Sequence, residues 1–292
     1  MQDKIADSVA LIRKAERLAL TLNPEHGFHV GFSGGKDSQV LLELIKMAGV
    51  KYRAVYNVTT NDPPENVYFI RKYYPEVVFV NNGGGNLYKM IERKGLPTMI
   101  HRWCCKIFKE GAGAGSVVLT GVRAEESRKR AMYNEVDVRS ARIEHQQRTE
   151  PYTIEGIEAA KHQCIKGKDK VMVYPMLEWS TTDVWVYIAS RGLPVNPCYE
   201  ISGRVGCMFC PFARREQIEY FERRYPQFHR LFIKGLRCYM DKKGEYGITA
   251  DEYYEIWKSK KSIKDYLRDK ANKDAARRQK ELFQDENWIA RQ

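Results

Sequence analysis

Long apolar runs are missing from this chain of 292 residues. No stretch approaches the roughly 18 uninterrupted apolar positions of a membrane-spanning helix, so no membrane partner is expected. Cysteine is scarce: seven residues, an odd number, are too few for a disulfide scaffold. An apolar leader with a small-residue cleavage site is lacking too. Met1-Gln2-Asp3-Lys4 runs straight into an amphipathic, charged segment, and the expected location is cytoplasmic. There is no internal repeat and no low-complexity linker. What is present is core material, 43% hydrophobic with 12% aromatic residues, which excludes a disordered or fibrous chain. Positive charge is in excess, 49 Lys and Arg against 37 Asp and Glu for a formal +12, which favours anionic partners such as nucleotides or nucleic acid.

Periodicity predicts a helical leader over about residues 5–22. Short apolar or β-branched runs at 28–32, 52–58, 77–80, 117–120 and 171–174 then alternate with helical patterns at 36–48, 65–74, 87–93 and 182–190. Strands alternating with helices imply an α/β fold, a doubly wound parallel sheet covered on both faces. A charged and mobile stretch is expected from Arg123 to about Lys170. The sheet domain should occupy 1–195. Residues 196–292 should form a cysteine-bearing, helical C-terminal region, with helices near 216–224, 227–239 and 250–278.

Where the first strand ends, Ser33-Gly34-Gly35-Lys36-Asp37-Ser38 leads into the first sheet-domain helix. Glycines let backbone approach an anion, amides at the helix start point at it, and the dipole, Lys36 and the Ser33 and Ser38 hydroxyls favour phosphate. The Walker A spacing is not met, because Val30 stands five residues before Gly35 and Asp37 follows Lys36. A carboxylate beside a phosphate repels it unless Mg²⁺ intervenes, so Asp37 should either help place that ion or cap the loop.

This hexapeptide resembles the PP-loop of the ATP pyrophosphatase superfamily. Thr120-Gly121-Val122-Arg123-Ala124-Glu125-Glu126-Ser127 is similar to the TGxRxxES segment of the phosphoadenosine-phosphosulfate reductase family, a branch of that superfamily. The run from Pro175 through Trp179, Asp183 and Trp185 to Leu193-Pro194-Val195-Asn196-Pro197 is similar to a second segment of that family. The resemblance covers residues 28 to about 213 and implies an adenine nucleotide alpha hydrolase-like, Rossmann-like fold. It further implies ATP and Mg²⁺ as ligands, with Lys36, Asp37 and Arg123 catalytic. Ser33, Gly34, Gly35, Ser38, Tyr56, Asn57, Thr59 and Gly121 would contact the nucleotide. An alternative role for Arg123 is an ion pair with Glu125 or Glu126, and Trp179 and Trp185 are assigned to packing.

Five cysteines fall into two groups, Cys104-Cys105 and Cys198/Cys207/Cys210. Gly206 and Pro211 favour a tight turn, and thiols so grouped suit zinc, an iron–sulfur cluster or redox use. The pattern resembles assimilatory adenylyl-sulfate reductases, which hold a four-iron four-sulfur cluster, and the related enzymes of DNA phosphorothioation. By that resemblance the expected ligands are Cys104 or Cys105 with Cys198, Cys207 and Cys210, with zinc as the alternative metal. Cys164 and Cys238 are expected to be ordinary thiols.

Sulfonucleotide reductases carry a catalytic cysteine in a C-terminal Glu-Cys-Gly segment and a degenerate loop. This chain shows neither, so adenylylation with pyrophosphate release, serving sulfur transfer from a donor protein, is the expected chemistry. A sulfonucleotide reductase and a non-catalytic nucleotide-bound regulator or DNA-binding protein are the alternatives. Between Lys258 and Lys280 ten Lys or Arg face three Asp, a basic helix fit for nucleic acid or simply for solvent.

Overall fold

Val, Ile, Tyr and Phe runs make the strands here, and the 3.6-residue apolar periods between them make the covering helices. The computed structural model describes residues 1–139, 151–160, 169–244 and 247–289. In chain order the elements begin with α1 (Gln2–Lys14), α2 (Glu16–Leu22), β1 (Phe28–Gly31), α3 (Lys36–Ala48), β2 (Tyr52–Asn57), α4 (Pro64–Tyr73) and β3 (Val78–Val80). Next come α5 (Leu87–Lys94), α6 (Trp103–Phe108), β4 (Val117–Leu119), β5 (Val136–Arg139), α7 (Ile154–Ala159) and β6 (Lys170–Val173). The chain continues through α8 (Thr181–Ser190), α9 (Cys198–Ser202), α10 (Arg215–Arg224), α11 (Pro226–Lys243), α12 (Ala250–Ser259) and α13 (Ile263–Ile289).

Two compact units result, one from Met1–Asn86 with Trp103–Cys207 and the other from Leu87–Arg102 with Met208–Gln292. In the first, six strands form one sheet in the order β3-β2-β1-β4-β6-β5. Every neighbouring pair is parallel except β5 with β6. The chain winds outward from β1 to β3, then returns to place β4 on the other side of β1. This reversal opens a crevice at the carboxyl ends of β1 and β4, where such sheets bind ligands. Phe28, Val30, Val117, Leu119, Val171 and Val173 are buried in the sheet, and Val40, Leu41, Leu44 and Ile45 of α3 are buried in the same core. Trp179 lies in this core with Trp185 packed on it, in agreement with the packing role assigned to both.

In the second unit α5 packs on α11, as do α10 and α12. Three details differ from the sequence expectation. The leader is two helices meeting at Ala15. The stretch expected to be mobile contains β5, whose Val-Asp-Val-Arg alternation buries Val136 and Val138, and α7, capped by Thr153. The rest of that stretch, with Cys164, lies outside the described residues. The basic helix is interrupted as well, because Lys260 takes a left-handed conformation (φ 59°) and closes α12. Lys258 is thereby buried in the second unit, paired with Glu222 and Glu255 rather than displayed.

His29 on β1 gives the first unit an acid sensitivity. Its Nε2 is buried without a hydrogen bond, and burial together with the nearby Lys170 and Arg53 charges pulls its pKa down to about 4. In the unfolded chain the imidazole binds its proton near pH 6.5. Between these values the unfolded state holds more protons, so stability falls as pH drops from about 6.5 to about 4, by up to ~3 kcal/mol from this group. Denaturant unfolding at about pH 7 and about pH 4.5 should show His29→Leu losing less stability on acidification than the parent. Equal losses would remove His29 as the cause.

Candidate nucleotide site

The loop 33–38 follows β1 directly and opens α3 at the crevice. Its shape is set by Gly34, at φ +78°, where an added Cβ would stand 2.4 Å from Asn66 Oδ1. Buried asparagines hold it: Asn66 Nδ2 donates to Ser33 O (3.1 Å) and to the Tyr56 hydroxyl (3.2 Å), and Asn196 Nδ2 donates to Gly34 O (2.9 Å) and Asn66 Oδ1 (2.7 Å). The Ser38 hydroxyl donates to Gly35 O at 2.8 Å, and the Ser33 hydroxyl lies 3.2 Å from it. The N-cap of α3, Gly35, has no side chain to offer, so the first-turn amides depend on other groups. The Lys36 N–H donates to the Tyr199 hydroxyl at 2.8 Å.

Charge converges at the same place. Lys36 Nζ lies 2.8 Å from both carboxylate oxygens of Asp37. Arg123 Nε lies 2.7 Å from Asp37 Oδ1 on the other side. Arg123 is only 3% exposed, and its guanidinium also reaches Glu125 and the Thr181 hydroxyl at 3.1 Å each. The ion pair with Glu125 weighed for Arg123 is present, and the same guanidinium also meets Asp37 of the loop. Its Nε–H makes no hydrogen bond despite the short Asp37 contact, an unused buried donor. Asp37 does not cap; it is the counter-charge of two cations. Gly121 is required by close approach, as a Cβ there would stand 2.8 Å from Asp37 O.

Beside the loop is a cavity of about 160 Å³ lined by Gly31, Phe32, Ser33, Tyr56, Asn57, Asp62, Asn66, Lys109, Val205 and Gly206. Tyr56 and Asn57 lie where a base-binding strand end was expected. Thr59 instead turns to Asp62, donating its hydroxyl (2.8 Å) and backbone N–H (2.7 Å), and sits 3.5 Å from Cys207 Sγ.

The cysteines divide. Cys104 hydrogen-bonds Cys105; that bond and burial push its thiol up, and the Cys105 and Cys207 sulfurs add to this. Lys109 Nζ donates to Cys207 Sγ at 3.6 Å, and the Cys207 sulfur, with Asp62 and Cys105, raises the Lys109 ammonium above its ordinary range against the effect of burial. Cys198 is fully buried; its thiol is pushed up to about 12 by burial and by the Glu65 carboxylate, and it takes a hydrogen bond from the Asn66 backbone. Cys210 belongs to the second unit, where its carbonyl accepts the Ala213 N–H.

Residues 28–213, more than half of the chain, match the phosphoadenosine phosphosulfate reductase domain. The chain belongs to this family. An uncharacterized protein of Methanocaldococcus jannaschii is 23% identical over 94% of this chain and 65% of its own length. The sulfate adenylyltransferase subunit 2 of a Methylobacterium species is 27% identical over 33% of this chain and 28% of its own. Among solved structures, the phosphoadenylyl-sulfate reductase of Candida auris aligns with a TM-score of 0.44 at 14% identity, covering 68% of this chain and 89% of that one. The chain spans less than two thirds of the length of the curated relatives it matches.

As a phosphosulfate reductase-domain protein the chain is a nucleotide-binding PP-loop family member. Among the described residues, no helix is long and apolar enough to cross a membrane. The cysteine pattern implied a metal centre, and of its residues Cys104 interacts with Cys105 and Cys207 within the first unit. Among the described residues no three His, Cys, Asp or Glu side chains stand around a common metal position.

Sequence reasoning missed Asp62, Asn66, Lys109 and Tyr199 in this phosphosulfate reductase domain. Lys109 lies one helical turn beyond Cys105, a spacing that brings it to the same side of α6. Asn196 stood in the Leu193–Pro197 run that resembles the family segment, with no contact assigned to it. Nothing local marks Asn66 or Tyr199.

Proposed function

We propose that the chain is an ATP pyrophosphatase that transfers an adenylyl group to an acceptor, the activating half of a sulfur transfer. The observation that carries this reading is the convergence of Lys36 and buried Arg123 on Asp37, their shared counter-ion in the first turn of α3. A bound triphosphate would compete for both cations. Lys36 and the loop amides would take the β- and γ-phosphates, and Arg123, with its unused Nε–H, the α-phosphate. An acceptor oxygen attacks the α-phosphorus, the bond to the bridging oxygen breaks, and pyrophosphate leaves with the electron pair. Mg²⁺ supplies further counter-charge when bound, and Asp37, released from Lys36, is the carboxylate placed to hold it. The iron–sulfur cluster, or zinc, that Cys104 or Cys105 with Cys198, Cys207 and Cys210 would hold supplies no step of this reading.

Acceptor and sulfur donor are part of the same proposal. Exposed Lys264, Lys273, Arg278 and Lys280 on α13 support an anionic acceptor such as nucleic acid. If these four cations each neutralise a phosphate, log affinity should fall with log salt with a slope of about three. A slope near zero with DNA and RNA alike would leave α13 a solvated helix. The main test is pyrophosphate release from Mg·ATP, screened with sulfate, oligonucleotides and other oxygen acceptors. Acceptor-dependent release supports the reading. Binding of adenylyl sulfate with no ATP turnover would overturn it in favour of a reductase.

A further inference from the structure

The amide that begins α3 is already occupied. Its partner, the Tyr199 hydroxyl at 2.8 Å from the Lys36 nitrogen, comes from α9, far along the chain but in the same unit. The same hydroxyl would stand 3.4 Å from a Cβ added at Gly35, so it lies against the face of the loop that phosphate needs. The ring is held edge-on by Trp185, with centroids 5.1 Å apart. Burial pushes the phenol up to about 12, so near neutral pH it is an uncharged acceptor.

The segment bearing Tyr199 is tied to the loop at further points. Asn196 Nδ2 holds Gly34 O, and Asn196 Oδ1 accepts the Cys198 N–H at 2.9 Å. Val205 and Gly206 narrow the adjoining cavity, whose 160 Å³ is below the ~300 Å³ at which small-molecule pockets begin.

We propose that Tyr199 is the internal occupant of a phosphate position, so that a pyrophosphoryl group must displace its hydroxyl from the Lys36 amide and thereby loosen the 196–206 segment over the cavity. This rests on the assignment of residues 33–38 as a phosphate loop. One N–H cannot serve two acceptors fully. An anionic phosphate oxygen makes the stronger, charge-assisted bond, so ligand binding proceeds against a neutral competitor and wins. The segment then reports loop occupancy, and Cys198, buried next to Tyr199 in the chain, becomes reachable.

The test uses inorganic pyrophosphate and the full chain. Calorimetric titration should give Tyr199→Phe, which keeps the ring on Trp185, about fivefold tighter pyrophosphate binding than the parent, the worth of one released hydrogen bond. Saturating pyrophosphate should speed N-ethylmaleimide labelling of Cys198 in the unaltered protein, mapped by mass spectrometry. In Tyr199→Phe that labelling should already be fast without ligand. Equal or weaker binding by the variant, or Cys198 labelling indifferent to pyrophosphate in the unaltered protein, overturns the displacement while leaving the loop assignment standing. Failure of both proteins to bind pyrophosphate overturns the loop assignment and the displacement together.

Discussion

Lys36→Ala should lower pyrophosphate release by about 10²–10³-fold, the usual cost of removing one preorganised charge from a developing negative centre. The fold should survive the change. The Lys36 side chain is only 12% exposed, but its ion-pair partner, Asp37, keeps Arg123 at 2.7 Å, so no buried charge is left unpaired. The large cost of breaking a buried pair comes from stranding one charge, and here Arg123 still neutralises Asp37, so the loss should be ~1 kcal/mol. The result expected is therefore a near-inactive protein with an almost unchanged unfolding curve. Turnover within a few-fold of the parent would show that the loop does not hold the departing group. A large loss of stability would mean that Lys36 is structural, and the kinetic loss could not then be read as chemistry.

Gly34→Ala should damage both stability and binding. The backbone there has φ +78°, which costs a residue with a side chain roughly 1–2 kcal/mol. The new methyl would also stand 2.4 Å from Asn66 Oδ1 and 3.0 Å from Ile70. Asn66 cannot yield freely, since it bonds Ser33 O, Tyr56 and Asn196, and each buried bond lost costs ~1 kcal/mol. We expect about 3 kcal/mol of destabilisation by urea unfolding and loss of measurable pyrophosphate binding. Asn66→Ala should be costly alone but should cost less in the Gly34→Ala background, because the clash is then absent. Strict additivity of the two would mean that Asn66 does not shape the backbone at Gly34.

The parts legible in the sequence were those whose signal is local. Phe28 to Phe32 followed by two glycines, Lys36 and an apolar helical period places strand, loop and helix at once. Arg123 and Gly121 were legible through the motif around them, although nothing in that motif says that Gly121 is needed for the approach of Asp37 backbone. Partners far along the chain were not legible. Asn66 and Asn196 are ordinary polar residues until the fold brings them, 130 positions apart, to 2.7 Å over the loop. Tyr199 read as one aromatic among 18 tyrosines, and only the structure sets its hydroxyl on the Lys36 amide. The cysteines show the same case. Their spacing suggested one group, and it names neither the Glu65 carboxylate beside buried Cys198 nor the hydrogen bond between Cys104 and Cys105. β5 escaped notice because four residues of alternation are too few to outweigh the charged surroundings.

The second unit takes its first helix from the middle of the chain and the rest from the end. Leu87, Tyr88 and Ile91 of α5 are buried, and the partner they pack against, α11, is made more than a hundred residues later. During synthesis α5 must therefore wait with its apolar face uncovered while the whole of the β-sheet unit emerges and folds. Shortening the chain before residue 208 would make that wait permanent. Such a fragment would present a sticky helix on an otherwise finished sheet, and self-association is the outcome to look for in it.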